Sequence, residues 1–301
     1  MKKLLVTGST GLVGSRFIEL VKNNFSVVTL GRNNADIKIN LTNKGEVSKT
    51  VQSSDAEAVL NFAAYTSVDE AEKEKNDRDG EVYTINVLLP TWLAKACKSS
   101  GKNLYHISTD YVFNGKKENS PYTEEDIPNP VDSWYAITKS EGELGIIQIK
   151  GKFSIIRISY PYSGIYRRKL DIARAVVEKL KNKEPYLGVE DQKIKPTSVD
   201  DIAQALFFLL QKEATGIYHV AGNYSPHEYI TPLQFAQKIA GTMNLDESLI
   251  KPISFLELSK KRLALRPKNT WLSTKKIESL GFRITNIGEA LKKFKNQMLN
   301  E

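Results

Sequence analysis

Short apolar runs alternate with amphipathic stretches through the first half of the chain. Residues 2–7, with Leu4-Leu5-Val6 at the centre, read as a buried strand. Residues 8–14 form a glycine-punctuated turn, after which Phe17, Ile18, Leu20 and Val21 recur at helical spacing. Residues 26–30, closed by Gly31, read as a second strand and residues 58–62 as a third. A long helix is predicted over 82–99, kinked or split by Pro90 and ended by Gly101. A strand at 104–108, a helix at 135–149 and a strand at 153–159 continue the rhythm. Strands alternating with helices predict an α/β fold, a doubly wound parallel sheet covered on both faces.

After Tyr160 the pattern changes. Helical periodicity appears at 170–181, 199–210, 232–240, 274–280 and 287–298, with one more strand at 216–220. This predicts a smaller, mostly helical C-terminal unit. Residues 114–132 carry Pro121, Pro128 and Pro130 among many polar residues and read as a long loop, a feature that is often functional in a compact domain.

Composition narrows the class. At 301 residues, 41% hydrophobic and 26% charged, the chain is long enough for a sizeable core and ordinary for a soluble globular protein. The single cysteine, Cys97, excludes a disulfide framework and a cysteine-rich zinc site, and His106, His219 and His227 are too scattered to suggest metal ligands. No metal is expected. The apolar run at the N-terminus is too short for a signal peptide, and no run reaches membrane-spanning length, so a cytoplasmic protein is expected. The 43 Lys/Arg exceed the 35 Asp/Glu, and the excess lies in residues 251–301, with twelve Lys/Arg against four Glu. Aromatics do not interleave with these lysines, so neither nucleic acid nor membrane is an expected partner.

Thr7-Gly8-Ser9-Thr10-Gly11-Leu12-Val13-Gly14 follows a strand and opens a helix. Glycines there let the backbone approach a pyrophosphate, and the helix N-terminus supplies N–H groups. A dinucleotide site on a Rossmann sheet follows. The second strand ends Leu30-Gly31-Arg32-Asn33, without the carboxylate that would bind the ribose of NAD and repel a 2′-phosphate. Arg32 could pair with that phosphate, so NADP(H) is favoured, with NAD(H) the alternative. Of the thirteen tyrosines only Tyr135 has a lysine four residues on, Lys139. On a helix the two share a face, and an ammonium lowers the pKa of a phenol that exchanges a proton with a carbonyl oxygen. Ser108 and Thr109 end a predicted strand, where a hydroxyl can orient the same oxygen, and Asn61-Phe62-Ala63-Ala64 ends another with residues small enough to flank a flat cofactor.

With these motifs in this order, nearly the whole chain resembles the extended short-chain dehydrogenase/reductase family of NAD(P)-dependent nucleotide-sugar enzymes. The T-G-x-x-G-x-x-G loop, Asn61 to Ala64, Asn86 and Tyr135-x-x-x-Lys139 carry the resemblance. Within it the chain is most similar to the dTDP-4-dehydrorhamnose reductases, through residues 108–115 (Ser-Thr-Asp-Tyr-Val-Phe-Asn-Gly), 64–72 and 266–270. Tyr111 stands where related sugar 4,6-dehydratases have glutamate.

The resemblance implies NAD(P)H-dependent reduction of a nucleotide-linked 4-keto-6-deoxy sugar, dTDP-4-dehydrorhamnose to dTDP-L-rhamnose. It makes Tyr135 the proton donor, Lys139 the residue that tunes it and holds the nicotinamide ribose, and Thr109, with Ser108, the residue that orients the carbonyl. It assigns Gly8, Thr10, Gly11, Leu12, Val13, Gly14, Arg32, Asn40, Leu41, Phe62, Ala63, Ala64, Ile107, Tyr135 and Lys139 to the cofactor, with Asn40 and Leu41 near the adenine. Ser108, Thr109, Asp110, Tyr111, Tyr160 and Arg266 would meet the substrate, Arg266 at its diphosphate. The expected domains are 1–160 with 193–222 for the dinucleotide and, interleaved, 161–192 with 223–301 for the substrate. A homodimer is expected. Two features depart from the reductase pattern. Asn40 replaces a frequent Asp, and residues 160–169, ending Arg167-Arg168-Lys169, look more like the epimerase stretch. A nucleotide-sugar epimerase and a non-catalytic NADP-binding regulatory subunit of the methionine adenosyltransferase type are the alternatives.

Overall fold

The computed structural model describes residues 1–166 and 168–299; Arg167 of the basic stretch lies outside them. Strands β1 (Lys3–Thr7), β2 (Ser26–Gly31), β3 (Ile37–Lys38), β4 (Ala58–Asn61), β5 (Asn103–Thr109) and β6 (Phe153–Ile158) belong to one sheet. Its seventh strand is a late one, Gly216–Val220. All pairings are parallel, and in order across the sheet the strands run Gly216–Val220, β6, β5, β4, β1, β2, β3. The order reverses between β1 and β4, and the crevice beyond the strand ends opens there.

Alternation along the strands divides the core. Leu4, Val6, Ala58, Leu60, Tyr105 and Ile156 pack on one face against α1 (Leu12–Val21) and a very apolar late helix, Val199–Gln211. Leu5, Val59, Leu104 and Ile155 pack on the other face, under α2 (Lys44–Ser53) and two longer helices described next. Helix α2 escapes the periodicity reading because only Val47 and Val51 of its ten residues are buried; Asn43 fixes its start by accepting from Gly45 N and Glu46 N.

The helix around Pro90 does not split as expected. After α3 (Val68–Ala71), α4 (Glu81–Tyr83) runs into a π turn (Thr84–Leu88) and on into α5 (Leu89–Ser99). The Leu89 N–H reaches back five residues to the Thr84 carbonyl, and Pro90 falls in the first turn of α5. A proline there removes no bond that the helix needs. Helix α6 (Trp134–Ile149) crosses this turn at Gly142, where a Cβ would overlap the Asn86 carbonyl oxygen.

Beyond β6 the chain builds a second layer. It comprises β7 (Pro161–Tyr162), α7 (Ile172–Lys181), β8 (Tyr186–Val189) and β9 (Thr197–Ser198), then α8 (the Val199–Gln211 helix) and β10 (Gly216–Val220), which return to the first layer. α9 (Pro232–Met243), β11 (Ile250–Ile253), α10 (Phe255–Ser259), α11 (Lys275–Ser279) and α12 (Ile287–Leu299) follow. A separate core joins Val176, Val177 and Leu180 of α7, Phe235 and Ile239 of α9, and Leu291 and Phe294 of α12. β8 and β11 pair in parallel beneath it, a small sheet absent from the pattern reading.

The long loop 114–132 is irregular, as expected, but it lines no part of the crevice. Tyr122 stacks on Phe113 at 4.2 Å, its N–H donates to Trp271 O, and its carbonyl accepts from Ser273 N. The loop is a structural strap onto residues 269–273. No helix among the described residues is long and apolar enough to cross a membrane.

Candidate active site

β1 delivers the glycine loop. Gly8 turns at φ +65°, and a Cβ on it would lie 2.5 Å from Ala63 N; one on Gly14 would overlap the Gly8 carbonyl oxygen. The loop is drawn tight by Gly11 N donating to Gly8 O at 3.0 Å. Gly11 is the N-cap of α1 and brings no side-chain acceptor, so the first amides of the helix are left for a ligand.

A cleft of about 380 Å³ opens at this point. Gly11, Leu12, Val13 and Gly14 form one wall; Phe62, Ala64, Ile107, Ser108, Thr109, Asp110 and Tyr111 form its floor; Tyr135, Lys139 and Tyr160 close it. Fourteen of the residues singled out from the sequence therefore meet in one place. Thr66, Val68, Tyr166 and Lys169 also line it. The sequence reading missed these, although the unusual composition of residues 160–169 marked two of them.

The remaining expected residues lie around it. Gly8 sits beneath the loop. Thr10 faces a neighbouring groove with Ser9, Ser163 and Arg168. Ala63 points into the core on the α5 side of the sheet, and Leu41 packs against that same core. Arg32, at the end of β2, is exposed and donates to Asn40 Oδ1 at 3.0 Å. The first carboxylate after β2, Asp36, is turned back onto Thr29 N and Oγ1, at 2.9 and 2.7 Å. Arg266 forms a two-pronged pair with Asp69, Nη1 to Oδ1 at 3.0 Å and Nη2 to Oδ2 at 2.8 Å. Its expected free approach to a diphosphate is thus an approach shared with a carboxylate.

At the chemical centre, Tyr135 and Lys139 share one face of α6, a turn apart, and both are buried. The Tyr135 hydroxyl is hydrogen-bonded to Thr109. Burial pushes the Tyr135 phenol well above its ordinary value, and the Asp110 and Tyr111 charges push the same way. The expected lowering by Lys139 does not appear: its ammonium is held at Ile107 O and makes no hydrogen bond to Tyr135, and burial brings it down to about 8, partly offset by Glu143. Lys139 Nζ donates to Ile107 O at 2.9 Å.

Thr109 caps the turn after β5 by accepting from Tyr111 N at 3.3 Å. Its hydroxyl donates to Asp110 Oδ1 at 3.1 Å, and Ser159 donates to Asp110 Oδ2 at 2.9 Å. Burial raises the Asp110 carboxyl to about 6 against these bonds. Asp110 therefore braces the turn more than it faces the cleft. Ser108 Oγ is buried on the cleft floor with no partner, an orphaned donor that a ligand oxygen would satisfy. Asn86 clamps the far side, accepting from Tyr65 N at 2.9 Å and donating to Thr138 Oγ1 at 3.2 Å. Tyr111 sits edge-on between Tyr135 and Tyr160, with ring centres at 5.7 and 6.4 Å. Among the described residues no group of His, Cys, Asp or Glu could hold a metal ion.

A doubly wound sheet with the glycine loop at its switch point and a Thr-Tyr-Lys set in the adjoining cleft defines an extended short-chain dehydrogenase/reductase fold. The family model "RmlD substrate binding domain" matches residues 1–300, and the chain belongs to that family. It is 31% identical to a dTDP-4-dehydrorhamnose reductase of Aggregatibacter actinomycetemcomitans, covering 97% of this chain and 98% of that one. It is 30% identical to methionine adenosyltransferase 2 subunit beta of Bos taurus, covering 93% and 83%. The crystal structure of the Bacillus anthracis dTDP-4-dehydrorhamnose reductase in complex with NADP superimposes with a TM-score of 0.85 at 27% identity, covering 98% and 99%.

Proposed function

We propose that the chain is an NAD(P)H-dependent oxidoreductase that reduces a nucleotide-linked 4-keto-6-deoxy sugar, dTDP-4-dehydrorhamnose to dTDP-L-rhamnose, with NADPH the favoured cofactor. The observation that carries this reading is the convergence of Thr109, Tyr135 and Lys139 with the glycine loop on one cleft. The relative of A. actinomycetemcomitans and the NADP-bound neighbour support it.

The residues fit the cofactor. The uncapped first turn of α1 suits its diphosphate, Phe62 and Ala64 a flat ring, and the exposed Arg32, whose nearest carboxylate is Glu81 of α4 at 3.9 Å, a 2′-phosphate. Bound there, NADPH supplies a hydride. The unpartnered Ser108 hydroxyl, joined by Thr109 once its proton turns from Asp110 to the cleft, orients the substrate carbonyl, and Tyr135 gives its proton to the carbonyl oxygen as charge develops on it. Lys139, on the same face of α6, would hold the nicotinamide ribose. The nucleotide-diphosphate sugar, a cytoplasmic setting and a homodimer belong to the same proposal, as does the division into 1–160 with 193–222 and 161–192 with 223–301. The separate core of α7, α9 and α12 supports that division.

The test is loss of NADPH or NADH absorbance with purified protein and dTDP-4-dehydrorhamnose. Oxidation is expected to fall by about 10²–10⁴-fold in Tyr135→Phe, with cofactor binding retained. Equal turnover by the variant overturns the assignment of the proton donor. The likeness to methionine adenosyltransferase 2 subunit beta sustains a second reading, a regulatory subunit. Cofactor binding without turnover of any keto-sugar, together with stable capture of an adenosyltransferase, would favour it.

A further inference from the structure

Behind the cleft, three polar side chains stand in register on adjacent strands of an otherwise apolar sheet. Thr7 of β1 is opposite Asn61 of β4, and Asn61 is opposite His106 of β5. All three face α6 and are essentially sealed from solvent. Thr7 Oγ1 donates to Asn61 Oδ1 at 2.6 Å. That commits the other end of the amide, and Asn61 Nδ2 lies 3.0 Å from His106 Nδ1. An amide NH₂ has no lone pair, so Nδ1 is the acceptor. A buried imidazole beside an ammonium is neutral, and its one proton is therefore on Nε2. Nε2 lies 3.3 Å from Lys139 Nζ. An ammonium offers only donors, whereas a neutral amine offers a lone pair.

We propose that Thr7 and Asn61 lock His106 in the Nε2–H tautomer, making it a positioning residue that favours the neutral amine of Lys139 and so loosens the lysine proton for return to Tyr135. This rests on the reductase reading for its purpose but not for its geometry. In the step, the Tyr135 O–H bond breaks as the substrate O–H bond forms. A bridging water then passes the proton back: one of its O–H bonds breaks as the Tyr135 O–H is restored, and an N–H bond of the Lys139 ammonium breaks as the water is made whole. The amine left behind accepts the His106 Nε2–H, and a proton from solvent later regenerates the ammonium.

Other groups around Lys139 do not supply this effect. On its own helix are Tyr135 and Glu143; Glu143, paired with Arg157 of β6, Nη2 to Oε2 at 2.7 Å, acts in the opposite direction and favours the ammonium. The turn after β5 brings Asp110 and Tyr111, which reach Tyr135. β4 and the π turn bring only Asn61 and Asn86, which do not titrate.

¹⁵N-histidine NMR of the intact protein reads the tautomer directly. His106 is expected neutral and protonated at Nε2 at neutral pH, since burial and the neighbouring ammonium hold it well below the ordinary imidazole range; a proton on Nδ1 overturns the proposal. ¹³C-lysine NMR then follows Lys139 in the parent and in Asn61→Leu, which frees the ring to present Nε2 as an acceptor. Lys139 is expected to hold its proton about tenfold more tightly in the variant, and the alkaline limb of kcat to move up in pH with it. Unchanged or weaker proton binding overturns the proposal. Should Asn61→Leu not fold, the parent tautomer decides alone. Absence of turnover in the parent would strike the reductase reading while leaving both NMR results to judge this one.

Discussion

Lys139 is bought at the expense of stability. Its ammonium titrates near 8 when folded and at an ordinary 10.5 when not, so the unfolded chain binds more protons between those values. Stability should therefore rise as pH climbs through that window, and the penalty is fully present at neutral pH. It is on the order of 3 kcal/mol for a group this buried. Lys139→Met is expected to recover part of it, raising the urea midpoint at pH 7 while abolishing turnover. A lower midpoint would mean that the bond to Ile107 O outweighs desolvation. In the parent, kcat for reduction should fall as pH rises through about 8, where the proton that restores Tyr135 is lost. Tyr135, Lys139 and Thr109 were legible from spacing and from their place after strands. Their electrostatics were not, because the expected lowering of the Tyr135 phenol assumed an ammonium in contact with it, whereas Lys139 Nζ is held at Ile107 O. His106 gave no local signal at all. Its role depends on which residues of three strands stand side by side, and register is set by pairings far apart in sequence.

At the scale of elements, periodicity worked where one face is strongly apolar and failed where it is not. α1, α7, α8 and the six longer strands of the sheet announce themselves. α2 buries two valines, and β8 and β11, unlike the equally short but wholly buried β4, show neither a continuous buried run nor alternation. Pro90 misled because the π turn that accommodates it leaves no signature in composition. That turn has a partner in Gly142, whose missing side chain lets α6 close onto the Asn86 carbonyl. Gly142→Ala should cost about 1–3 kcal/mol by overpacking, despite the better helix propensity of alanine. Denaturant titration checks it, and a stabilised variant would show that α6 can slide. Since α6 carries Tyr135 and Lys139, turnover should fall with stability in this variant.

For the whole molecule, the fold class followed from alternation and the site from the glycine loop. The second layer was only sketched, because its helices are short and its small sheet joins strands some sixty residues apart. Cofactor choice is also read best at this scale, as a shift in global melting. NADPH at about 100 times its Kd should stabilise the native state by about 2.7 kcal/mol, and NADH at the same concentration by less. Arg32→Ala should erase most of that difference without moving the melting point of the free protein. Equal protection of the parent by both cofactors would remove Arg32 from the account.

The sheet also has an order of assembly written into it. β6 pairs with β5 on one side, but its other neighbour, β10, is encoded after the whole of α7, β8, β9 and α8. During synthesis, Phe153–Ile158 therefore waits as a bare edge while roughly sixty further residues are made, a delay of about 3–12 s at ordinary elongation rates. Over that interval Ile155, Ile156 and Ile158 belong to a strand that could recruit a stray one. The nascent chain is most vulnerable to misassociation, and most in need of a chaperone, between the completion of β6 and the arrival of β10.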